Sequence, residues 1–596
     1  MIATFLLLPI LIPIAGVVFL ALSPRLRESL VSDVATAVAL LWGASCVGLV
    51  ALAALGWTDA WSMDLLSWGE NRFQLSLRVD LVGGVFLLLS AFLGGVIVRY
   101  SHYYMHREPG HRRFFMTMLC FFIGLSLASL AADLEAFFIG WEVVGIASFL
   151  LIGFYRNRIQ PVRNAQKVYS IYRLCDIGMI FGAYLQGSLL LGTDFAHLAS
   201  PDAQAKIHSL GQGQLLFLSA VLLLSAAGKS AQLPFSYWMP RAMEGPTPSS
   251  AIFYGALSVH AGVLLLIRTF PIWHASTTAP YLIGGLGLLT ALLATGMGRV
   301  QANIKGQIAY ASITQVGVMF VELALGYPRL ALLHLVGNAC LRCYQLLVSP
   351  SVVAYLLRLQ SSSAGARARF SDWSLERALP SRLRSSLYSM VVSECYLPHL
   401  LEDGLWRGAR RFADHVARLI SRPVPALAGA VLTVVSILRF SESALWKTVV
   451  LAIAVLISFQ SIAVPRNSVR VWLSTTGASF ALAAVLAASG IEELHELMPF
   501  VAVLLAWSVL GILAVTKMRS EWLSFFSVLG ATGFPISPLF FGEDVMLHAA
   551  LRVHPAAAAV FGFIFVLNGI ALIRMHCRTF ELGGASYVSN NAAMEK

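Results

Sequence analysis

The chain has 596 residues, 58% of them hydrophobic and only 12% charged, against roughly 45–50% apolar and about 25% charged in an ordinary soluble domain. With a mean hydropathy of +0.75, this composition excludes a water-soluble enzyme, a disordered chain and a disulfide scaffold. A net charge of +12 would suggest nucleic acid in a soluble protein, but here the basic residues sit in short loops between apolar runs, the pattern of a membrane protein's positive-inside bias.

A polytopic membrane helix bundle follows, all-α because backbone groups in hydrocarbon need partners within their own segment. At about 20 apolar residues per span, the candidates in chain order are 2–22, 34–56, 81–99, 114–132, 134–154, 168–190, 213–230, 248–271, 281–298, 304–325 and 329–356. A polar, basic stretch from Leu357 to Arg422 follows, and then spans at 425–440, 445–464, 470–489, 498–516, 522–541 and 556–575. The total is about 16 or 17 spans. The first run lacks the leading charges and small-residue cleavage site of a signal peptide, so it reads as a retained span. The seven cysteines are scattered, mostly within spans, which argues against a disulfide framework. Cys340 and Cys343 form a C-x-x-C, but within a span that also carries Arg342.

Charge orients the bundle. Arg25 and Arg27 follow the first span, and alternation then places Arg107/Arg112/Arg113, Arg156/Arg158/Arg163, Arg299/Lys305, the 357–422 stretch, Arg466/Arg470, Lys517/Arg519 and Arg574/Arg578 on the same side. All are basic, so that side is cytoplasmic, with the N-terminus outside and the C-terminus inside. The opposite loops, 57–80 and 490–497, lean acidic. Within the connector, SSSAGARARFSDWSLERALPSRLRSSL reads as a flexible loop. RGARRFADHVARLISR reads as an amphipathic helix on the membrane surface, either docking a soluble partner or serving as a solvated linker.

Charged residues inside spans cost about 2.5–3.5 kcal/mol each on insertion scales and normally face a protein interior or a water-filled path. Glu142 sits in the middle of the fifth span and needs a cation or a proton; an interhelical hydrogen bond is the plainer role. Lys229 ends an apolar run just before Pro234, and the Pro246 and Pro248 stretch follows; breaks of this kind expose backbone only where they line a cavity. Gly228-Lys229-Ser230 is no phosphate-binding loop, because Leu223 stands where its first glycine belongs. Arg173 and Asp176 are three apart, share a helix face and can pair, while Lys167 can simply snorkel. His260, Glu322, His334 and Arg342, with Lys305, form a discontinuous polar series through three spans. Glu543 and Asp544 follow a second break at Pro535 and Pro538, and a water-facing acidic pair is the alternative there.

GWEVVGIASFLLIGFY, KVYSIYRLCD and GKSAQLPFSYWMPRAMEGPTPSSA resemble the proton-translocating antiporter-like family, whose members include subunit L of respiratory complex I and the large subunit of multi-subunit sodium/proton antiporters. The resemblance runs from about Val79 to Val353. It implies a pair of inverted five-helix repeats, each with a Glu/Lys pair gating proton movement: Glu142 and Lys229 match the first pair, Arg173 and Asp176 the modulating pair, and His334 an axis histidine. Tyr254, Asn338 and Arg342 depart from the respiratory pattern, which has two histidines and a lysine there. Glu543-Asp544 is the nearest match to the Lys-Asp of the second broken helix.

SSAIFYGALSVHAG, ACLRCYQLLVSPS and GFPISPLFFGEDVML are similar to DabB, the membrane subunit of a bacterial inorganic-carbon pump. That likeness implies a bacterial inner-membrane subunit conducting H⁺ or Na⁺, with a DabA-like peripheral zinc partner resembling a β-type carbonic anhydrase at its cytoplasmic face. It implies no cofactor or metal in this chain and no catalysis of its own. Subunit L of respiratory NADH:quinone oxidoreductase is one alternative, and a non-conducting membrane anchor is another. The C-terminal tail offers no segment long enough for the lateral helix of the respiratory subunit. The expected organisation is N-terminal spans over 1–112, a first antiporter-like repeat over 113–271, the start of a second over 272–356, the connector over 357–424 and the C-terminal spans over 425–596.

Overall fold

The computed structural model describes residues 2–362, 380–419, 444–463, 468–487, 494–535 and 537–580, apart from Thr58, Gly69, Glu70 and Leu191. It is helical nearly throughout: α1 (Ile2–Leu22), α2 (Glu28–Ala54), α3 (Leu81–Tyr104), α4 (His111–Leu130), α5 (Leu134–Ile152), α6 (Ile159–Leu190), α7 (Pro201–Ser209) and α8 (Gln212–Lys229). Short pieces α9 (Trp238–Ala242) and α10 (Thr247–Ser250) lead through irregular turns to α11 (Ala261–Arg268), α12 (Phe270–His274), α13 (Ala279–Arg299), α14 (Ile304–Ala324) and α15 (Pro328–Ser362). The connector holds α16 (Ser381–Val392) and α17 (Arg407–Leu419). Then come α18 (Ala444–Ala463), α19 (Ser468–Ala487), α20 (Leu494–Thr516), α21 (Glu521–Ala531), α22 (Pro538–Val553) and α23 (Pro555–Thr579).

Among the described residues, 13 helices or helix runs are long and apolar enough to cross a membrane. The count falls below the expected 16 or 17 for physical reasons. The predicted span at 425–440 lies outside the described residues. α6 carries Arg163, Lys167, Arg173 and Asp176 and is too polar for that measure, and the predicted span at 522–541 is split into α21 and α22. Residues 57–80, expected as a plain loop, instead form an antiparallel hairpin of β1 (Trp61–Trp68) and β2 (Asn71–Leu77).

The basic loops expected on one side do meet at one end of the bundle. The Arg107 amide donates to the Glu28 Oε1 at 2.6 Å, the Arg112 guanidinium to the Ala21 carbonyl at 3.0 Å and that of Arg113 to the Phe154 carbonyl at 2.7 Å. Asp80, Asp133 and Asn303 cap α3, α5 and α14 by accepting from the amides of Gly83, Ala136 and Gly306, satisfying donors that a helix start leaves free. α4 and α5 approach closely through Gly124 and Gly140. A Cβ on Gly140 would lie 2.8 Å from the Ala128 Cα and 2.8 Å from the Gly124 carbonyl oxygen, and small residues at such crossings let backbones touch.

In the connector, α17 is the amphipathic helix expected there. Ala413 and Val416 are buried and Phe412 meets Phe459 of α18 edge-on at 5.0 Å, while its arginines face outward. The loop expected before it falls largely on residues 363–379, outside the described residues. The connector is also tied to the bundle. Glu402 pairs with Lys167 at 2.8 Å, and Glu394 pairs with Arg241 at 2.8 Å while accepting from the Tyr310 hydroxyl at 2.9 Å.

Candidate functional site

Two helices break within the membrane, and each break meets a buried cation. α8 ends at Lys229 and the chain turns through Ser230–Tyr237 before α9. A lysine in a helix's last turn lies where the macrodipole favours positive charge. α21 ends at Ala531, and the freed Thr532 carbonyl accepts a short hydrogen bond from Arg173 of α6. A helix C-terminus leaves such carbonyls without partners; here a buried arginine from another helix supplies the donor.

Around these breaks lies a continuous ionic cluster. The Arg173 Nη1 donates to Glu142 Oε1 of α5 at 2.7 Å, with 7% and 5% of the two side chains exposed. The Lys229 ammonium donates to the Trp141 carbonyl at 3.0 Å and lies over the rings of Tyr172 and Trp141, at 4.4 and 4.8 Å. The Trp141 indole N–H donates to Asp176 Oδ1 at 2.6 Å. Trp141 therefore links the lysine to the aspartate through its backbone and side chain at once. Gly145 makes room for this: a Cβ there would stand 3.1 Å from the lysine Nζ.

Two sequence expectations change here. Arg173 and Asp176 do share a face of α6, but they do not form the expected pair, because Glu142 and the Trp141 indole compete for them across the helix interface. Glu142 and Lys229 are neighbours whose charges interact, yet each bonds a different group.

Glu543 and Asp544 are not at a loop edge, and both are half-buried. Both lie within α22, and the Glu543 carboxylate packs against Gly533 beside Arg173. Asp544 pairs with His548 at 3.5 Å. A cavity of about 30 Å³ separates Arg173 and Asp176 from Glu543 and Asp544, room for about one water. The second break, expected to serve the second half of the protein, is thus folded onto the first half's site. Of the break prolines, Pro234 precedes α9, Pro246 precedes α10 and Pro248 lies in its first turn, Pro535 is buried between α21 and α22, and Pro538 opens α22.

The second polar group lies across an aromatic wall. Tyr172 meets Trp238 edge-on at 5.2 Å, and Trp238 meets Tyr254 at 5.4 Å. The buried hydroxyls of Tyr172, Tyr254 and Ser258 make no well-formed hydrogen bond among the described residues, although Tyr172 lies near Ser258. Beyond them, His260 Nδ1 contacts the Ala256 carbonyl at 2.6 Å and its Nε2 lies 3.0 Å from Asn338 Nδ2. Asn338 Oδ1 accepts from Arg342 Nε at 3.1 Å, and Arg342 reaches Gln345 Oε1 at 2.6 Å. His334 stands between Glu322 Oε1 at 2.8 Å and Gln315 Oε1 at 2.9 Å. Arg342 and Gln315 also line a cavity of about 500 Å³. So the polar series read from spans eight, ten and eleven consists of two bonded sets around α14 and α15. The Lys305 ammonium reaches the Gly245 carbonyl at 3.4 Å, with Glu244 close by.

Sequence reasoning missed Arg268. It is buried at the end of α11, where it pairs with Asp80 at 3.1 Å and donates to the Ala131 and Ser129 carbonyls at 3.0 and 2.8 Å. An arginine closing the apolar run GVLLLIR was the available signal. It also missed Glu135, two residues after Asp133 and close enough to Asp544 for their charges to interact.

These features define a polytopic helix bundle with buried ionisable groups gathered at helix breaks. The family described as "NADH:quinone oxidoreductase/Mrp antiporter, TM" matches residues 131–358, and that described as "NADH-Ubiquinone oxidoreductase (complex I), chain 5 N-terminus" matches 65–115. Over those residues the chain is similar to the antiporter-like membrane subunits of the complex I subunit L and Mrp type. It is 32% identical over 358 residues to NADH-quinone oxidoreductase subunit L of Escherichia coli (strain K12), covering 58% of this chain and 57% of that one. It is 34% identical over 282 residues to NADH-ubiquinone oxidoreductase chain 5 of Pseudosoriculus fumidus, covering 47% and 45%. The chain spans about half the length of the curated relatives it matches. Its fold is shared with a chain of the Mrp complex from Dietzia sp. DQ12-45-1b (TM-score 0.50, 19% identity, 92% of this chain and 56% of that one). A chain of the membrane-bound sulfane sulfur reductase, an archaeal respiratory membrane complex, gives a TM-score of 0.51 at 20% identity, over 66% and 68%.

Proposed function

We propose that this chain is a proton-translocating, antiporter-like subunit of a multi-subunit membrane complex, with Glu142 and Lys229 as its proton-exchanging groups. The observation that carries the reading is the buried cluster of Glu142, Arg173, Asp176 and Lys229 at two helix breaks. Such groups are costly in a bilayer and mark ion paths. In this reading Glu142 takes up a proton as Arg173 shifts its bonds toward Thr532 and Glu543. Asp176 and Trp141 hold Lys229, which exchanges a proton with Glu142 across the cluster. The hydroxyls of Tyr172, Tyr254 and Ser258 lead from Lys229 toward His260, where ordered water can bridge polar groups. Arg342 does not deprotonate, so it acts there as a fixed charge while His260, His334 and Glu322 carry the proton.

The comparisons support subunit L of a respiratory NADH:quinone oxidoreductase, working with redox partners, as the type of assembly. A second reading is a DabB-like subunit driving inorganic-carbon uptake by a DabA-like zinc partner. What favours it is the axis of Tyr254, Asn338 and Arg342, together with a second break packed on the first site.

Proton flux in everted membrane vesicles tests the core proposal, with wild type, Glu142→Gln and Lys229→Ala compared at equal expression. Flux in the wild type and its loss in both variants is the expected result. Equal flux in all three, or none in the wild type with its genomic neighbours co-expressed, leaves a membrane anchor. Rescue of a carbonic-anhydrase-deficient host at ambient carbon dioxide, abolished by an uncoupler, would select the carbon-uptake reading over the respiratory one.

A further inference from the structure

We propose that the arginine-bearing end of the bundle holds one anionic glycerophospholipid of the surrounding bilayer, in a cleft between α1, α4, α5 and α21. The cleft has a volume of about 720 Å³, within the roughly 300–1,000 Å³ of small-molecule sites. It belongs neither to the ionic cluster nor to the cavity beside Arg342.

Its two ends differ chemically. The outer end carries the guanidinium groups of Arg112, Arg113 and Arg156 against a single carboxylate, that of Glu521. Arg156 is spent on Glu521. Arg113 donates to the Phe154 carbonyl at 2.7 Å and lies 5.0 Å over the Phe154 ring. Arg112 donates to the Ala21 carbonyl at 3.0 Å, and its buried Nε has no partner. The surplus is positive, and a donor is left over. Basic pockets between spans are what an anionic lipid headgroup recognises, and a phosphodiester accepts from guanidinium groups through two oxygens.

The inner end is apolar, lined by Met116, Ile146, Leu150, Phe525 and Leu529 among others. Its depth fits one leaflet. Along α4 the lining runs from Arg112 to Cys120 and along α5 from Gly153 back to Val143, about 12 and 15 Å at 1.5 Å per residue. That is close to half of the ~30 Å hydrocarbon core. Trp522 and Phe526 stand at the rim, 54% and 58% exposed, where interfacial aromatics normally sit.

Photolabelling of the whole wild-type protein in vesicles tests this without any variant. The probes are phosphatidylglycerol and phosphatidylcholine, each with a photoreactive acyl chain, and labelled peptides are mapped by mass spectrometry. The phosphatidylglycerol probe is expected to label residues 116–150 and 521–529 at least about tenfold more than the phosphatidylcholine probe. Arg112→Gln is expected to lower that labelling about fivefold, as one arginine's share of anionic-lipid attraction, whereas the exposed control Arg25→Gln leaves it unchanged. Equal labelling by both headgroups, labels spread over the bundle surface, or full displacement by inorganic phosphate would each overturn the proposal.

Discussion

At the scale of single residues, the site is set by competition for a few buried polar groups. Arg173 answers Glu142, the Thr532 carbonyl and the nearby Glu543 carboxylate. Removing one partner of a buried ion pair strands the other in a medium that solvates it poorly. Arg173→Met is therefore expected to destabilise the protein by about 3–5 kcal/mol. Glu142→Gln combined with Arg173→Met should recover part of that loss, since neither variant side chain then leaves a bare charge. Denaturation of the purified protein in mixed micelles reads both effects. Gly145→Ala probes function instead. The added methyl would press on the flexible end of Lys229 at 3.1 Å, shifting the ammonium by a few tenths of an ångström. Stability should stay within about 1 kcal/mol of wild type, while proton flux in vesicles falls. Unchanged flux would show that the position of Lys229 is not critical.

At the scale of elements, the breaks matter more than the spans. The residue patterns that announce them, prolines interrupting an apolar run with a charge close by, place both breaks correctly in the chain. They do not say that α21 and α22 fold back onto α5 and α6 rather than onto α14 and α15. The packing of α4 on α5 decides how firmly Glu142 is held, and Gly140→Ala is expected to cost about 1–3 kcal/mol by forcing those helices apart, read in the same denaturation assay. The connector is held by acidic residues on basic helix ends. Lys167 and Glu402 are 39% and 29% exposed, and such a pair contributes at most about 1 kcal/mol. Glu394 is less exposed, at 14%, and serves both Arg241 and Tyr310. Glu394→Gln should therefore speed hydrogen exchange in residues 380–406 more than Glu402→Gln does. The reverse order would place the main tether at Lys167.

At the scale of the whole molecule, charge orients and hydrophobicity builds. The basic loops around Glu28, Ala21 and Phe154 meet at one end, and the hairpin of residues 61–77 joins spans at the other. By positive-inside bias the hairpin is expected outside the cell. In a cysteine-free background, Ser62→Cys is expected to react with a membrane-impermeant maleimide in intact cells, and Arg410→Cys only after permeabilisation. Labelling in the opposite sense would invert the topology.

The sequence by itself determined the class: apolar runs of spanning length, short basic loops and a helical backbone follow from composition and periodicity alone. It also marked the residues that carry charge into the membrane, because each such residue stands out against an apolar run. What only the tertiary structure decided is which of them meet. Arg173 binds Glu142 and not Asp176, three residues along its own helix, and Glu543 reaches back to the first break across the intervening chain. Arg268, which closes the apolar run GVLLLIR, pairs with Asp80 between α11 and the start of α3. The reason is physical. Periodicity fixes which face a side chain occupies, but its partner lies on another helix, and the packing of helices is set by the sum of many side-chain contacts rather than by any local pattern.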